Sequence, residues 1–141
     1  MTQKIRASAI LIKNNKILVI KSKYSSEKII YLLPGGRVEA YESIENAAIR
    51  EVKEETDLDI KIIQFVAHSQ YIDKERGKDV LEIIFLGRIV SGEEIYINDP
   101  SDGNHILELE WTNYEDLCKK EFYPKKLLQD IKILLTENLS R

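Results

Sequence analysis

The feature that most constrains this chain is a helical stripe that starts apolar and ends acidic. Ile44, Ala47, Ala48 and Val52 fall at helical spacing, and the i, i+3, i+4 progression through them runs on to Glu51, Glu54 and Glu55. With Ser43 as its N-cap, the spacing predicts a helix from about Ser43 to Thr56. A solvated helix sets its carboxylates opposite its apolar stripe, and here they share it. Three carboxylates within one turn repel, and each resists ionising unless a cation sits among them. A hard divalent ion is the natural occupant, since Mg²⁺ takes oxygen ligands and often binds through a few carboxylates plus substrate phosphates. Just upstream, Gly35 and Gly36 lack a Cβ, so backbone there can approach a ligand or ion closely. A glycine pair alone marks only a turn; beside an acidic helix it suits a metal-bridged phosphate.

The rest of the chain reads as strands. Ile5 to Ile12 and Ile17 to Ile20 flank Asn14-Asn15, which favours a hairpin turn, and Ile29 to Leu33 is a short strand stopped by Pro34-Gly35-Gly36. Ile60 to Tyr71 and Val80 to Val90 form a second hairpin around a charged loop with Gly77. A short run, Ile95 to Ile97, precedes a polar loop, and Ile106 to Trp111 alternates apolar with acidic residues. Pro124 suits the first turn of a closing helix whose apolar face is Leu127, Leu128, Ile131, Leu134 and Leu135. Without a repeat or linker, 141 residues form one α/β domain, 1–141.

Charge and cysteine count narrow the function. Lys plus Arg number 21 and Asp plus Glu 24, a net charge of -3, which argues against general attraction to nucleic acid or anionic membrane. Cys118 is the single cysteine, so no intrachain disulfide forms, and the amino-terminal apolar run is broken by Lys13 to Lys16 long before the ~20 residues of a membrane span. The expected setting is the cytoplasm, with no membrane partner.

Gly36, five residues, Glu42, seven residues, then Arg50-Glu51-Val52-Lys53-Glu54-Glu55-Thr56-Asp57-Leu58 resembles the Nudix box, the signature of the Nudix hydrolases. The match keeps every charged position at its spacing. It departs at Asp57, where the family has glycine, at a helix end where a left-handed residue is usual and Asp is better tolerated than most. The resemblance implies a Nudix-type α/β/α sandwich with a mixed sheet that uses Mg²⁺ or Mn²⁺ to hydrolyse a nucleoside diphosphate linked to another moiety. It implies Glu51, Glu54 and Glu55 as metal ligands with the Gly35 carbonyl a further one, Arg50 orienting the glutamates, and Glu42 supporting the cluster.

The general base stays open between a box glutamate and a later acid: Glu108 or Glu110 shortly before Trp111, or His105 or Asp102 upstream. His68, inside an apolar strand, reads as a core or pocket-lining group. Tyr24, Tyr31, Phe65 and Tyr71 could stack on a base, but strand aromatics are usually core. Two functions of different class follow: a pyrophosphohydrolase, and a Nudix-fold module that binds a nucleotide or nucleotide sugar without cutting it. The complete acidic cluster favours the enzyme. The partner is a small nucleotide-type diphosphate, with a homodimer left open. A nucleoside triphosphate is preferred to ADP-ribose, because relatives that cut ADP-ribose usually carry a proline a little over a dozen residues past the box and Asp59 to Gly77 has none.

Overall fold

The structure is a computed structural model that describes residues 2–92 and 106–139. Among the described residues, eight strands and three helices follow in the order β1 (Lys4–Ile10), β2 (Ile12–Lys13), β3 (Lys16–Ser25), β4 (Lys28–Leu32), β5 (Gly35–Arg37), α1 (Ile44–Thr56), β6 (Asp59–Asp73), β7 (Lys78–Ser91), β8 (Ile106–Thr112), α2 (Tyr114–Cys118) and α3 (Leu127–Leu139). The expected run Ile95 to Ile97, with Asp102 and His105, lies outside the described residues.

The strands form two four-stranded sheets. One runs β5-β1-β7-β6 and is mixed: β1 pairs parallel with β7 and antiparallel with β5, and β6 and β7 are the expected hairpin. The other is antiparallel, with β2, β4 and β8 all paired to β3. The first hairpin turns at Asn14 and Asn15, both at positive φ (50° and 60°), as the sequence suggested. Its leading strand does not run unbroken, however. The chain leaves the mixed sheet after Ile10 and enters the other at Ile12, so one apolar run serves both sheets. Gly35-Gly36 is likewise no simple stop. After the break at Leu33-Pro34 the chain resumes as β5, with Ala7 opposite Gly36 and Ser8 opposite Gly35.

Helices cover two sides, giving the α/β/α layering. On one side Ala47 and Ala48 of α1 pack on Ala7 and Phe85, while Val52 meets Ala9, Leu11 and Leu18. On the other, Leu117, Leu127 and Ile131 pack with Phe122 on Ile10, Ile17, Val19 and Ile84. The closing helix starts later than expected. Pro124 lies before it and accepts the Leu127 N–H, since α3 begins at Leu127. The short α2, capped by the Asn113 side chain, was not anticipated, because five residues are too few to show a period.

Candidate active site

Helix α1 forms as its sequence suggests. Ser43 caps it by accepting the Asn46 N–H, Ala47, Ala48 and Val52 are buried, and Asp57 ends it in the left-handed region at φ 63°. The acidic continuation of the stripe divides. Glu51 and Glu55 point into the fold and are partly to largely enclosed, whereas the Glu54 side chain is 56% exposed.

Arg50 is the hub of the cluster. Its Nε and Nη2 donate to the two Glu42 oxygens at 2.7 and 2.9 Å, Nη1 donates to Glu51 at 2.8 Å and to Glu54 at 3.3 Å, and Nη2 also reaches the Arg37 carbonyl at 3.0 Å. A planar fork with five donors can grip one carboxylate by two parallel bonds and still hold two others, a geometry that an ammonium does not offer. Glu42 gains most: the Arg50 hydrogen bonds, helped by the Glu39 N–H, bring its carboxyl down to about 2. Glu51 moves the other way, raised by burial that Arg50 only partly offsets. Glu55 is pushed up to about 7 by burial, against the opposing pull of Arg6 and of the Gly35 N–H that it accepts at 2.9 Å.

The two glycines are required by close approach. A Cβ on Gly36 would stand 2.3 Å from the Glu51 carboxyl carbon, and one on Gly35 would stand 2.3 Å from the Ala7 carbonyl oxygen. The Gly35 carbonyl already accepts from Arg6 Nη1 at 3.0 Å, so one of its two lone pairs is engaged.

The chemistry of this donor set fits a hard divalent cation. Glu51 and Glu55 offer oxygen to a buried spot where their ionised forms are penalised, and a cation there would reverse the penalty. Among the described residues no three acidic, histidine or cysteine side chains converge as a finished ligand cage. The carboxylates are instead held by Arg50 and by the Gly35 amide.

A family model for the NUDIX domain matches residues 2–131. The chain belongs to the Nudix family. It is 32% identical over 126 residues to a Methanocaldococcus jannaschii protein named as an ADP-ribose pyrophosphatase, covering 89% of this chain and 71% of that one. It is 38% identical over 137 residues to Nudix hydrolase 5 of Arabidopsis thaliana, covering 94% of this chain but 43% of the plant protein. The MutT NUDIX hydrolase of Burkholderia pseudomallei, at 24% identity, shares the fold with a TM-score of 0.78 over 92% of this chain and 98% of that one. This Nudix chain therefore falls among hydrolases of phosphoric anhydrides, a family that generally needs a divalent metal and acts on small nucleotide-type substrates. Among the described residues no helix is long and apolar enough to cross a membrane.

The other candidates scatter. Glu108 and Glu110 share a strand face, as their spacing requires, but it is not the face of α1: their alternates Leu109 and Trp111 pack toward Val52. Glu110 pairs with Lys120 at 3.0 Å, and Glu108 is exposed. His68 is exposed on β6, against the expectation of a buried group, because β6 is the outermost strand of its sheet. Phe65 and Tyr71 are exposed for the same reason, and Tyr31 is half-buried under the Lys120 ammonium. Tyr24 bonds the hydroxyl of Tyr71 and donates to Asp73 at 3.0 Å, joining the ends of the two hairpins.

One group beside the site, Arg6 with Ser8 and Glu82, is not apparent from the sequence alone. Arg6 donates to Glu82 at 3.1 Å and to the carbonyls of Leu33 and Gly35, and Ser8 donates to Glu82 at 2.7 Å. The available signal was polar residues two apart in the apolar strand Lys4–Ile10, and a lone acid in Val80–Phe85.

Proposed function

We propose that the protein is a pyrophosphohydrolase dependent on Mg²⁺ or Mn²⁺ that cleaves a nucleoside diphosphate linked to another moiety. The observation that carries this reading is that Glu51 and Glu55, both half-buried, lie against Gly36 and Gly35, with Glu51 in close contact with Gly36 and Glu55 accepting the Gly35 N–H at 2.9 Å. Glu51, Glu54 and Glu55, with the free lone pair of the Gly35 carbonyl, would hold the cation. When bound, it would neutralise phosphate charge and lower the pKa of a water set in line with the leaving group.

The chain's own residues set the frame. Glu42 locks the Arg50 guanidinium by two parallel bonds, and Arg50 orients Glu51 and Glu54. The Gly35 N–H fixes one Glu55 oxygen and leaves the other for a ligand or a proton. Among the described candidates, the base is a box glutamate, since Glu108 and Glu110 lie on the face turned away from α1. The intact cluster favours hydrolysis over a module that binds nucleotide without cutting it.

For the substrate we favour a nucleoside triphosphate. Asp59–Asp73 is one strand paired to β7 along its length, without the proline associated with ADP-ribose cleavage. Similarity to the archaeal protein named as an ADP-ribose pyrophosphatase supports ADP-ribose as the second reading. Phosphate release from nucleoside triphosphates, ADP-ribose and nucleotide sugars, with Mg²⁺ and with Mn²⁺, separates them. Hydrolysis of ADP-ribose with kcat/KM ten-fold or more above every triphosphate, about 1.4 kcal/mol in transition-state binding, would reject the triphosphate preference. Glu55→Gln should lower turnover at least ~100-fold with the fold intact. Near wild-type turnover in that variant at saturating metal would sink the site, and tight nucleotide binding without cleavage by the wild type would favour the binding module.

A further inference from the structure

The Arg6 side chain is 23% exposed and that of Glu82 13%, while Ser8 is fully buried. A charged group is kept in such surroundings only if its donors are met, and a strand needing only to pair would be better served by an apolar residue. Arg6 meets three acceptors on two pieces of chain: Nε bonds Glu82 on β7, while Nη1 bonds the Gly35 carbonyl on β5 and Nη2 the Leu33 carbonyl just before it. Between those carbonyls, that of Pro34 accepts the Ala9 N–H at 3.0 Å. All three successive carbonyls from Leu33 to Gly35 are thus held from β1 or its side chain. The same segment presents the Gly35 N–H to Glu55.

We propose that Arg6, anchored by Glu82 and Ser8, is a positioning residue of the acidic site: it fixes the Leu33–Gly35 segment from which Glu55 and the Gly35 carbonyl meet the divalent cation. This rests on the metal-site reading above and extends it to three residues outside the box. A guanidinium fork reaches the three acceptors together, and a lysine in its place keeps the charge but cannot span them.

Charge and position make opposite predictions here, which makes the idea testable. As a charge alone, Arg6 repels a divalent ion, so its removal should tighten binding. As a positioning group, its removal should loosen it. Mn²⁺ binding by the full chain without substrate, followed by the electron paramagnetic resonance of free Mn²⁺, should weaken about ten-fold or more in Arg6→Lys and Arg6→Met, the scale seen when partners of metal ligands are lost. Thermal unfolding of the same samples establishes that they are folded, and kcat at saturating Mn²⁺ should fall with the affinity. Glu82→Gln and Ser8→Ala, which leave the guanidinium but loosen its anchor, should weaken Mn²⁺ binding by a smaller factor and serve if the Arg6 variants do not fold. Tighter binding in Arg6→Met, or unchanged binding in Arg6→Lys or in Glu82→Gln, would overturn the proposal. Failure of the wild type to bind Mn²⁺ would overturn the metal-site reading, and this proposal with it.

Discussion

Asp57 closes α1 at φ 63° and ψ 16°, and its N–H bonds the Lys53 carbonyl. Its carboxylate lies 3.4 Å from the Lys53 ammonium, and Lys53 also pairs with Asp59 at 3.3 Å. An exposed pair of this kind contributes little, and glycine adopts the left-handed region without the steric cost of a Cβ. Asp57→Gly is therefore expected to change stability by under about 1 kcal/mol, neutral or stabilising, with activity retained. Calorimetry checks this, and a loss of several kcal/mol would mean that the Asp57 side chain makes a contact that matters more than the ion pair. At this scale the box was legible in part: Arg50 meets Glu54, and Glu51 shares a face with Glu55, because a helix brings residues four apart together, while Glu42 reaches Arg50 from the turn before the helix. Arg6 was not legible, because its partners Leu33, Gly35 and Glu82 are brought to it by strand pairing at long range.

Strand β5 is the element on which the site turns. Its two glycines have different neighbours, so alanine should act differently at each. At Gly36 the new Cβ meets the Glu51 side chain, a flexible group that can yield. Gly36→Ala should leave the fold within about 1–2 kcal/mol of wild type and displace Glu51, lowering activity roughly ten-fold or more. At Gly35 the Cβ meets Ala7 and Ser8 backbone, which cannot move without parting β5 from β1. Gly35→Ala should cost several kcal/mol, of order 3 or more, in unfolding by denaturant. Equal effects on stability at the two positions would contradict this. The glycines were visible in sequence as close-approach positions, but their place in a strand was not, since three residues carry too short a pattern to show one.

For the molecule as a whole, the site should shape stability against pH. Glu42, brought to about 2, stabilises the fold above the ordinary 4.5, and that contribution is lost as pH falls from 4.5 toward 2. Glu55, raised from 4.5 to about 7, binds its proton more tightly folded than unfolded. Its contribution is present below pH 4.5 and is lost as pH rises to 7, by at most about 3 kcal/mol, and Glu51 adds in the same direction. Metal-free protein should thus weaken between pH 4.5 and 7, and added Mg²⁺ should stabilise it increasingly across that window by favouring the carboxylates. Urea unfolding at several pH values, with and without Mg²⁺, measures this. Glu55→Gln should flatten the metal-free slope, and an unaltered slope would show that Glu55 does not carry it.

The sequence by itself determined the central helix with its cap and left-handed end, the two hairpins, the box residues and the family. Each depends on a period or a spacing within about twenty residues, where local geometry dictates which side chains share a face. Only the tertiary structure decided that one apolar run is divided between two sheets, that β6 lies at an edge with His68 and Phe65 exposed, and that Glu108 and Glu110 face away from α1. It also decided that Arg6, Ser8 and Glu82 stand behind the acidic cluster. These follow from which strands pair and which sheet face a helix covers. Those choices are made by burial summed over the whole chain, and no local pattern records them.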